Sequence, residues 1–149
     1  MALYRRILVP VDGSSTSLRG LREALRIAKA QGAKLWLLHV LDEFYLAASP
    51  EMAVEYDSVV NALKAGGRRT LAKAEARARA AGVKSESLMP EIVVGRAGHE
   101  IVRQAKKVRA DLIVLGTHGR RGLKRLALGS DAEQVVRNAS VPVLLVRAG

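Results

Sequence analysis

The sequence predicts an α/β protein in which one open parallel β-sheet carries helices on both faces. Short, uniformly apolar segments alternate along the chain with longer segments of helical periodicity. Strands of a parallel sheet are buried on both faces, which accounts for their continuous Val, Ile and Leu content. A length of 149 residues, 49% of them apolar, suits one domain with a buried core, so we expect a single domain over residues 1–149.

The first quarter of the chain predicts two strands joined by a helix. Tyr4–Val11 and Lys34–Leu41 have the continuous apolar centres of buried strands. Residues 12–17 are turn and cap residues, and we expect their hydroxyl groups to cap the helix rather than to act as nucleophiles. The helix has apolar residues at spacings of three and four and ends near Gly32.

The middle of the chain predicts a long helix and an edge strand. Residues 51–81 have helical character, and Gly66-Gly67 predicts a break or kink within them. Lys84–Val94 is the predicted third strand. Because proline cannot donate to a strand ladder, Pro90 within this segment favours an edge position.

The last third of the chain predicts two more strands, each preceded by a helix. Asp111–Leu115 and Val141–Val146 are the predicted fourth and fifth strands. Gly116–Gly129 is a glycine-rich, basic loop. Ser130 and Glu133 have the spacing of a capping box, which predicts that the last helix starts there.

This order of elements predicts where a ligand would bind. Ligands of open parallel sheets lie beyond the carboxyl ends of the strands, which here are followed by residues 12–15, 39–42 and 116–131. The last of these segments ends where a helix begins, so free N–H groups and the helix dipole would attract an anion. From its residues alone, the segment fits a phosphate site and a plain structural loop equally.

The charge distribution narrows the class of partner. A net charge of +11 favours an anionic partner. Lys and Arg are absent from residues 35–63 and concentrated in residues 64–79, which fits a solvated helix face or a nucleic-acid groove. With 3% aromatic residues, the chain lacks the stacking groups of a single-strand platform, so we do not expect nucleic-acid binding.

Several protein classes are excluded by what the sequence lacks. It contains no cysteine, which excludes disulfides and thiolate chemistry, and it has neither a P-loop nor a dinucleotide-binding fingerprint. No apolar run approaches the roughly 20 residues of a membrane span. The apolar segment near the first residue is too short for a signal peptide. We therefore expect a cytoplasmic protein that does not contact membranes.

Three separated motifs resemble one family. Residues 116–130 contain Gly-x2-Gly-x9-Gly-Ser, which is similar to the nucleotide-binding motif of the ATP-binding branch of the universal stress protein (UspA-like) family. Ile7–Ser14 resembles that family's first strand and loop, and Asn138–Val146 resembles its last strand. The resemblance covers essentially the whole chain.

The resemblance implies a Rossmann-like, adenine nucleotide α-hydrolase-like fold with five parallel strands in the order 3-2-1-4-5. It implies a homodimer formed through the C-terminal strand, residues 141–147, and ATP bound across the ends of strands one and four. ADP and AMP are alternatives to ATP. The resemblance also allows a Mg²⁺ ion beside the nucleotide, but it does not identify protein ligands for the ion. Transferred position by position, the resemblance implies these nucleotide-binding residues: Pro10, Val11, Asp12, Val40, Gly116, Thr117, His118, Gly119, Arg120, Gly129, Ser130, Asp131 and Ala132.

The resemblance also implies which part of the nucleotide each group of residues contacts. Residues 10–12 would line the adenosine pocket, and the backbone of Val40 would meet adenine. Residues 116–120 would run along the ribose and phosphates, and residues 129–132 would hold the phosphates at the helix start.

Asp131 departs from the family, which often has a small or apolar residue after the Gly-Ser pair. Its carboxylate has three open roles: it repels phosphate, it helps to hold Mg²⁺, or it points away and stabilises the helix N-terminus. We favour the last of these.

We expect a nucleotide-dependent stress-response or signalling module, in which ATP orders residues 116–130 and changes the surface offered to an unidentified protein partner. A slow Mg-dependent ATPase or phosphotransfer enzyme and a nucleotide-independent interaction module are the alternatives. No catalytic residue is assigned, because His118 has no visible orienting partner. We expect His39, near the end of its strand, to be packed or to lie at the rim of the site, and His99 to be an exposed helix residue.

Overall fold

The computed structural model of the chain describes residues 1–41, 56–91, 97–117 and 128–147. Five strands and four helices lie within these ranges. In chain order they are β1 (Arg6–Pro10), α1 (Ser15–Gln31), β2 (Lys34–Leu38), α2 (Tyr56–Ala80), β3 (Ser85–Leu88), α3 (Ala97–Lys107), β4 (Leu112–Gly116), α4 (Ser130–Asn138) and β5 (Val143–Val146).

The strands form one parallel sheet in the order β3-β2-β1-β4-β5, which confirms the predicted fold class and strand order. Strand β1 is central: Ile7 pairs with Leu35 of β2 on one side and with Leu112 of β4 on the other. After β1, the chain adds β2 and β3 on one side of the sheet and then β4 and β5 on the other. The switch point lies between the carboxyl ends of β1 and β4, where parallel sheets bind ligands.

The core has two layers because successive β1 side chains point to opposite faces of the sheet. Ile7 and Val9 pack in a cluster that includes apolar residues of α1 and α2, such as Leu21 and Leu71. Leu8, which is also fully buried, packs in a second cluster with residues of α3 and α4. Helices thus cover both faces, as the apolar strands predicted.

Two features of the middle segment differ from the prediction. The prediction of a break at Gly66-Gly67 is wrong, since α2 runs without interruption from Tyr56 to Ala80. Strand β3 does lie at the sheet edge, but Pro90 is not the cause, because it follows the end of the strand at Leu88.

The predicted capping box at the start of α4 is also wrong. Gly129 is the N-cap, Ser130 is the first helical residue, and no side chain among those described caps the helix. The side chain of Glu133 instead accepts hydrogen bonds from Arg137, one turn further along. By contrast, the predicted cap of α1 is confirmed, because the Ser14 hydroxyl accepts from the backbone N–H of Ser17.

Several basic residues of α2 lie on its solvent side. Arg68, Lys73, Arg77 and Arg79 are exposed, as expected of a solvated helix face. No helix within the described ranges is long and apolar enough to cross a membrane.

Candidate functional site

A cavity of about 400 Å³ opens at the carboxyl edge of the sheet, between the ends of β1, β2 and β4. Pockets for small molecules have volumes in this range. The strand ends form its floor, and all four described helices contribute to its walls. Its lining residues are Pro10, Val11, Asp12, Ser17, Leu38, His39, Val40, Leu41, Ala62, Leu63, Gly66, Gly67, Arg69, Ala97, Ile101, Leu115, Gly116, Thr117, Gly129, Ser130, Asp131 and Ala132.

The cavity brings together every predicted nucleotide-binding residue that the structure describes. These are Pro10, Val11, Asp12, Val40, Gly116, Thr117, Gly129, Ser130, Asp131 and Ala132. His118, Gly119 and Arg120 lie outside the described residues. Residues far apart in the chain therefore meet at one place, whereas their role toward a nucleotide stays a prediction.

The turn after β1 is held in place by its own hydrogen bonds. The carboxylate of Asp12 accepts from the backbone N–H of Ser14 at 2.8 Å. The backbone N–H of Asp12 donates to the hydroxyl of Ser17 at 3.1 Å. This local bonding fixes the carboxylate beside the start of α1 and at the cavity wall.

His39 connects the ends of β2 and β1. Its side chain is buried, and its Nδ1 lies 2.8 Å from the carbonyl oxygen of Val11. Because a carbonyl can only accept, Nδ1 carries the proton in this contact. The predicted packing role is confirmed, and the bond fixes the position of Val11 relative to Val40.

The start of α4 closes the cavity on the side of β4. The backbone N–H of Gly129 donates to the carbonyl of Thr117 at 2.7 Å, which ties the helix start to the end of β4. Glycine has no side chain with which to cap a helix, and no described side chain caps this one. The N–H groups of residues 130–132 precede the first intrahelical donor at Glu133, so they are available to an anion.

Gly116 is needed where the end of β4 meets α1. A Cβ at this position would lie 2.6 Å from Cγ2 of Thr16 and 2.9 Å from that residue's carbonyl oxygen. Gly116 thus allows α1 to pack closely against the end of β4.

The Asp131 side chain stabilises a helix start, but not the one that the sequence predicted. Its Oδ1 accepts from the backbone N–H of Gly98, in the first turn of α3, at 3.2 Å. The favoured role was stabilisation of its own helix. The carboxylate does lie in the first turn of α4, but its hydrogen bond stabilises the start of the neighbouring helix.

The sequence analysis did not predict that α2 contributes to the cavity. Gly66, Gly67 and Arg69 line it, and a Cβ on Gly67 would lie 2.7 Å from Cδ2 of His39. The pair of adjacent glycines was the available signal. Glycine is unfavourable inside a helix, so its presence there indicates a close approach as well as a break.

Glu100 is a buried acid that the sequence analysis also missed. It is 2% exposed, accepts hydrogen bonds from Arg103 at 2.7 and 2.9 Å, and accepts another from Gln104 at 2.7 Å. Burial raises the pKa of Glu100, but these hydrogen bonds and the positive charges of Arg103 and Lys107 outweigh it and hold that pKa below its usual value. This residue is outside the cavity lining and stabilises α3.

The cavity combines hydrogen-bond donors at one end with apolar surface over much of the rest. One end offers free helix N–H groups, and the remainder is a mainly apolar surface with the Asp12 carboxylate on it. Among the described residues no group of three or more His, Cys, Asp or Glu side chains is placed to hold a metal ion. His99 is exposed on α3, as predicted, and its Nε2 lies 2.9 Å from Nε2 of Gln134.

Known proteins resemble this chain over nearly all of its length. A family model described as the universal stress protein family matches residues 3–147. Universal stress protein MJ0531 of Methanocaldococcus jannaschii is 39% identical over 97% of this chain and 83% of its own length. The solved structure of MJ0577 from the same organism matches with a TM-score of 0.84 and 29% identity, covering 99% of both chains.

A crystal structure of a universal stress protein in complex with cAMP is also similar. It is 31% identical to this chain, matches with a TM-score of 0.64 and covers 97% of both chains. The similarity to these solved structures agrees with the parallel sheet and its strand order. The chain belongs to the universal stress protein family.

Proposed function

We propose that this protein binds an adenine nucleotide, ATP in the first instance, in the cavity at the carboxyl edge of the sheet. The observation that carries the proposal is the start of α4, which no described side chain caps and whose first N–H groups line a cavity of about 400 Å³. A phosphate would satisfy these donors, and each charge-assisted hydrogen bond contributes roughly 1.5–3 kcal/mol. The cAMP bound by a similar universal stress protein supports the choice of an adenine nucleotide.

The proposed assignment of residues is the one that the family resemblance implies. The adenosine lies against Pro10, Val11 and Asp12, and the backbone of Val40 meets adenine. The ribose passes Gly116 and Thr117, and the phosphates lie at residues 129–132. His118, Gly119 and Arg120 are proposed to follow the ribose and phosphates on the strength of the motif alone.

The proposed role is a cytoplasmic binding module that acts in a stress response or in signalling. Mg²⁺ would accompany ATP and neutralise part of its phosphate charge, and ADP and AMP compete for the same cavity. Nucleotide binding changes the surface that the protein offers to a protein partner. Hydrolysis, where it occurs, is slow.

The test is calorimetric titration of nucleotide-stripped protein with Mg-ATP, beside a Gly129→Asp variant. The backbone at Gly129 is extended, with φ −60° and ψ 149°, a conformation that aspartate readily adopts and from which its side chain can cap the helix. Its carboxylate occupies the phosphate position and abolishes binding, whereas the unfolding temperature is unchanged or raised. Ser140→Asp adds the same charge at an exposed position outside the cavity lining and is the matched control.

Each outcome of this titration has a definite meaning. Binding by the native chain and by Ser140→Asp, but not by Gly129→Asp, supports a phosphate site at the start of α4. Equal binding by both variants would place the nucleotide elsewhere. Absence of binding by the native chain would refute the proposal. Release of inorganic phosphate from the same samples measures turnover.

We further propose a homodimer formed through residues 141–147. Strand β5 is the last strand of the sheet and all four of its residues are only half-buried. Its apolar side chains contact both core clusters, so an open edge would leave apolar surface and backbone groups exposed. Pairing with the same strand of a second copy covers this edge.

A further inference from the structure

Two helices point their N-termini toward the same end of the cavity. Ala97, the first residue of α3, and Ser130, the first residue of α4, both line it. The N-terminus of a helix carries a partial positive charge, and its first N–H groups have no partner within the helix. This end of the cavity would therefore attract anions through both helices.

The two helix starts are not equally available. The carboxylate of Asp131 accepts from the N–H of Gly98 at 3.2 Å, so the start of α3 already has an anion of the protein beside it. Gly129 provides no such group to α4. A phosphate bound to the N–H groups of α4 would thus lie next to a fixed negative charge, the Asp131 carboxylate.

The charge of Asp131 is not balanced by a neighbouring cation within the described part of the chain. The side chain is only half-buried, and its recorded partner there is a neutral backbone donor. The other acid of this helix turn, Glu133, is bonded to Arg137 at 2.9 Å and lies outside the cavity lining. The two acids carry the same charge, but of the two only Asp131 lines the cavity.

We propose that Asp131 is a charge-selectivity residue, and the proposal rests on the adenine-nucleotide function given above. Like charges repel, so the Asp131 carboxylate disfavours the free triphosphate tail and leaves an adenosine monophosphate largely unaffected. Without a divalent cation the site prefers AMP to ATP. Mg²⁺ neutralises part of the triphosphate charge, so ATP binds as its Mg²⁺ complex.

The test measures adenosine, AMP and ATP binding by calorimetry in a chelator, with nucleotide-stripped native protein and two variants. Asp131→Asn keeps an oxygen that can accept from Gly98 and removes the charge. We expect it to raise the affinity for ATP about tenfold more than the affinity for AMP. Glu133→Gln makes the same change of net charge from the same helix turn and should alter the ratio less than about twofold.

The results separate a failure of this inference from a failure of the proposed function. When none of the three ligands binds the native protein, the adenine-nucleotide function falls and this inference falls with it. When they bind but Asp131→Asn changes the ATP-to-AMP ratio no more than Glu133→Gln, only the selectivity role is refuted. A loss of ATP affinity in Asp131→Asn would also refute it. Asp131→Ser repeats the measurement should the asparagine variant fail to fold.

Discussion

Substitution of Gly67 by alanine tests the contact between α2 and the end of β2. A Cβ at this position would lie 2.7 Å from Cδ2 and 3.1 Å from Nε2 of His39, and 2.8 Å from Sδ of Met89. The Met89 side chain is flexible and can move aside. The His39 ring is buried and bonded to the carbonyl of Val11 at 2.8 Å, so it moves only when that bond is lost.

The expected change in stability is the balance of three effects. Overpacking costs about 1–3 kcal/mol, and loss of the His39 hydrogen bond costs about 1 kcal/mol. Alanine is more favourable than glycine inside a helix by about 1 kcal/mol, which offsets part of these costs. We therefore expect Gly67→Ala to lower the free energy of unfolding by about 1–3 kcal/mol. In a chain of this length that corresponds to a fall of about 2–4 °C in Tm for each kcal/mol.

The adjacent glycine provides the control. Among the described residues, the neighbour of a Cβ on Gly66 would be Nη2 of Arg69 at 3.7 Å, which is an ordinary contact. Gly66→Ala should therefore raise stability by about 0.5–1 kcal/mol. Urea denaturation of both variants measures the two effects. Equal shifts of the same sign would show that Gly67 serves only helix formation and that the contact with His39 is irrelevant to stability.

Three further substitutions address the cavity rim, the sheet edge and the buried acid. Arg69→Ala should weaken nucleotide binding about fivefold, because Arg69 lines the cavity, whereas Arg68→Ala makes the same charge change outside it and should leave the affinity unchanged in calorimetry. Ile113 donates to the carbonyl of residue 142 and Thr117 to that of residue 146, so the N–H of Val143 points away from β4. Val143→Pro should hence give a folded monomer in sedimentation equilibrium, and a persistent dimer would contradict pairing through β5. Because the fold lowers the pKa of Glu100, its ionised form adds stability at neutral pH that is lost as pH falls through that lowered pKa. Glu100→Gln should thus be less stable than the native chain by about 1–3 kcal/mol at pH 7, and a denaturant midpoint difference that does not shrink on acidification would contradict this.

The parts of the fold that follow from local pattern could be predicted from the sequence. Apolar strands alternating with helical segments required a parallel sheet, and the strand order came from the resemblance of three motifs. The residues that follow β1, β2 and β4 were expected to share a site because the carboxyl ends of parallel strands share one edge. The structure brings the described ones together for this reason.

The contributions that the sequence did not predict depend on how elements cross. Gly67 is suited to a helix break when only its neighbours in the chain are considered, and its close approach to His39 exists only after α2 has packed on the sheet. Ser130 was equally suitable as a cap and as a first helical residue. Which of the two it becomes depends on the hydrogen bond between Gly129 and Thr117, a contact with the end of β4.

At Gly129, the N-cap of α4, a substitution that stabilises the helix would weaken the binding of a ligand phosphate. An aspartate at position 129 would satisfy N–H groups that glycine leaves free, and it would stabilise the helix by a few tenths of a kcal/mol, about the difference between these residues at N-caps. The same carboxylate would exclude a phosphate. Binding sites are often less stable than the fold would permit, because a group that a ligand must satisfy cannot be satisfied by the protein. Opposite signs of the stability change and the affinity change in Gly129→Asp would therefore identify these N–H groups as ligand donors, which neither measurement could do alone.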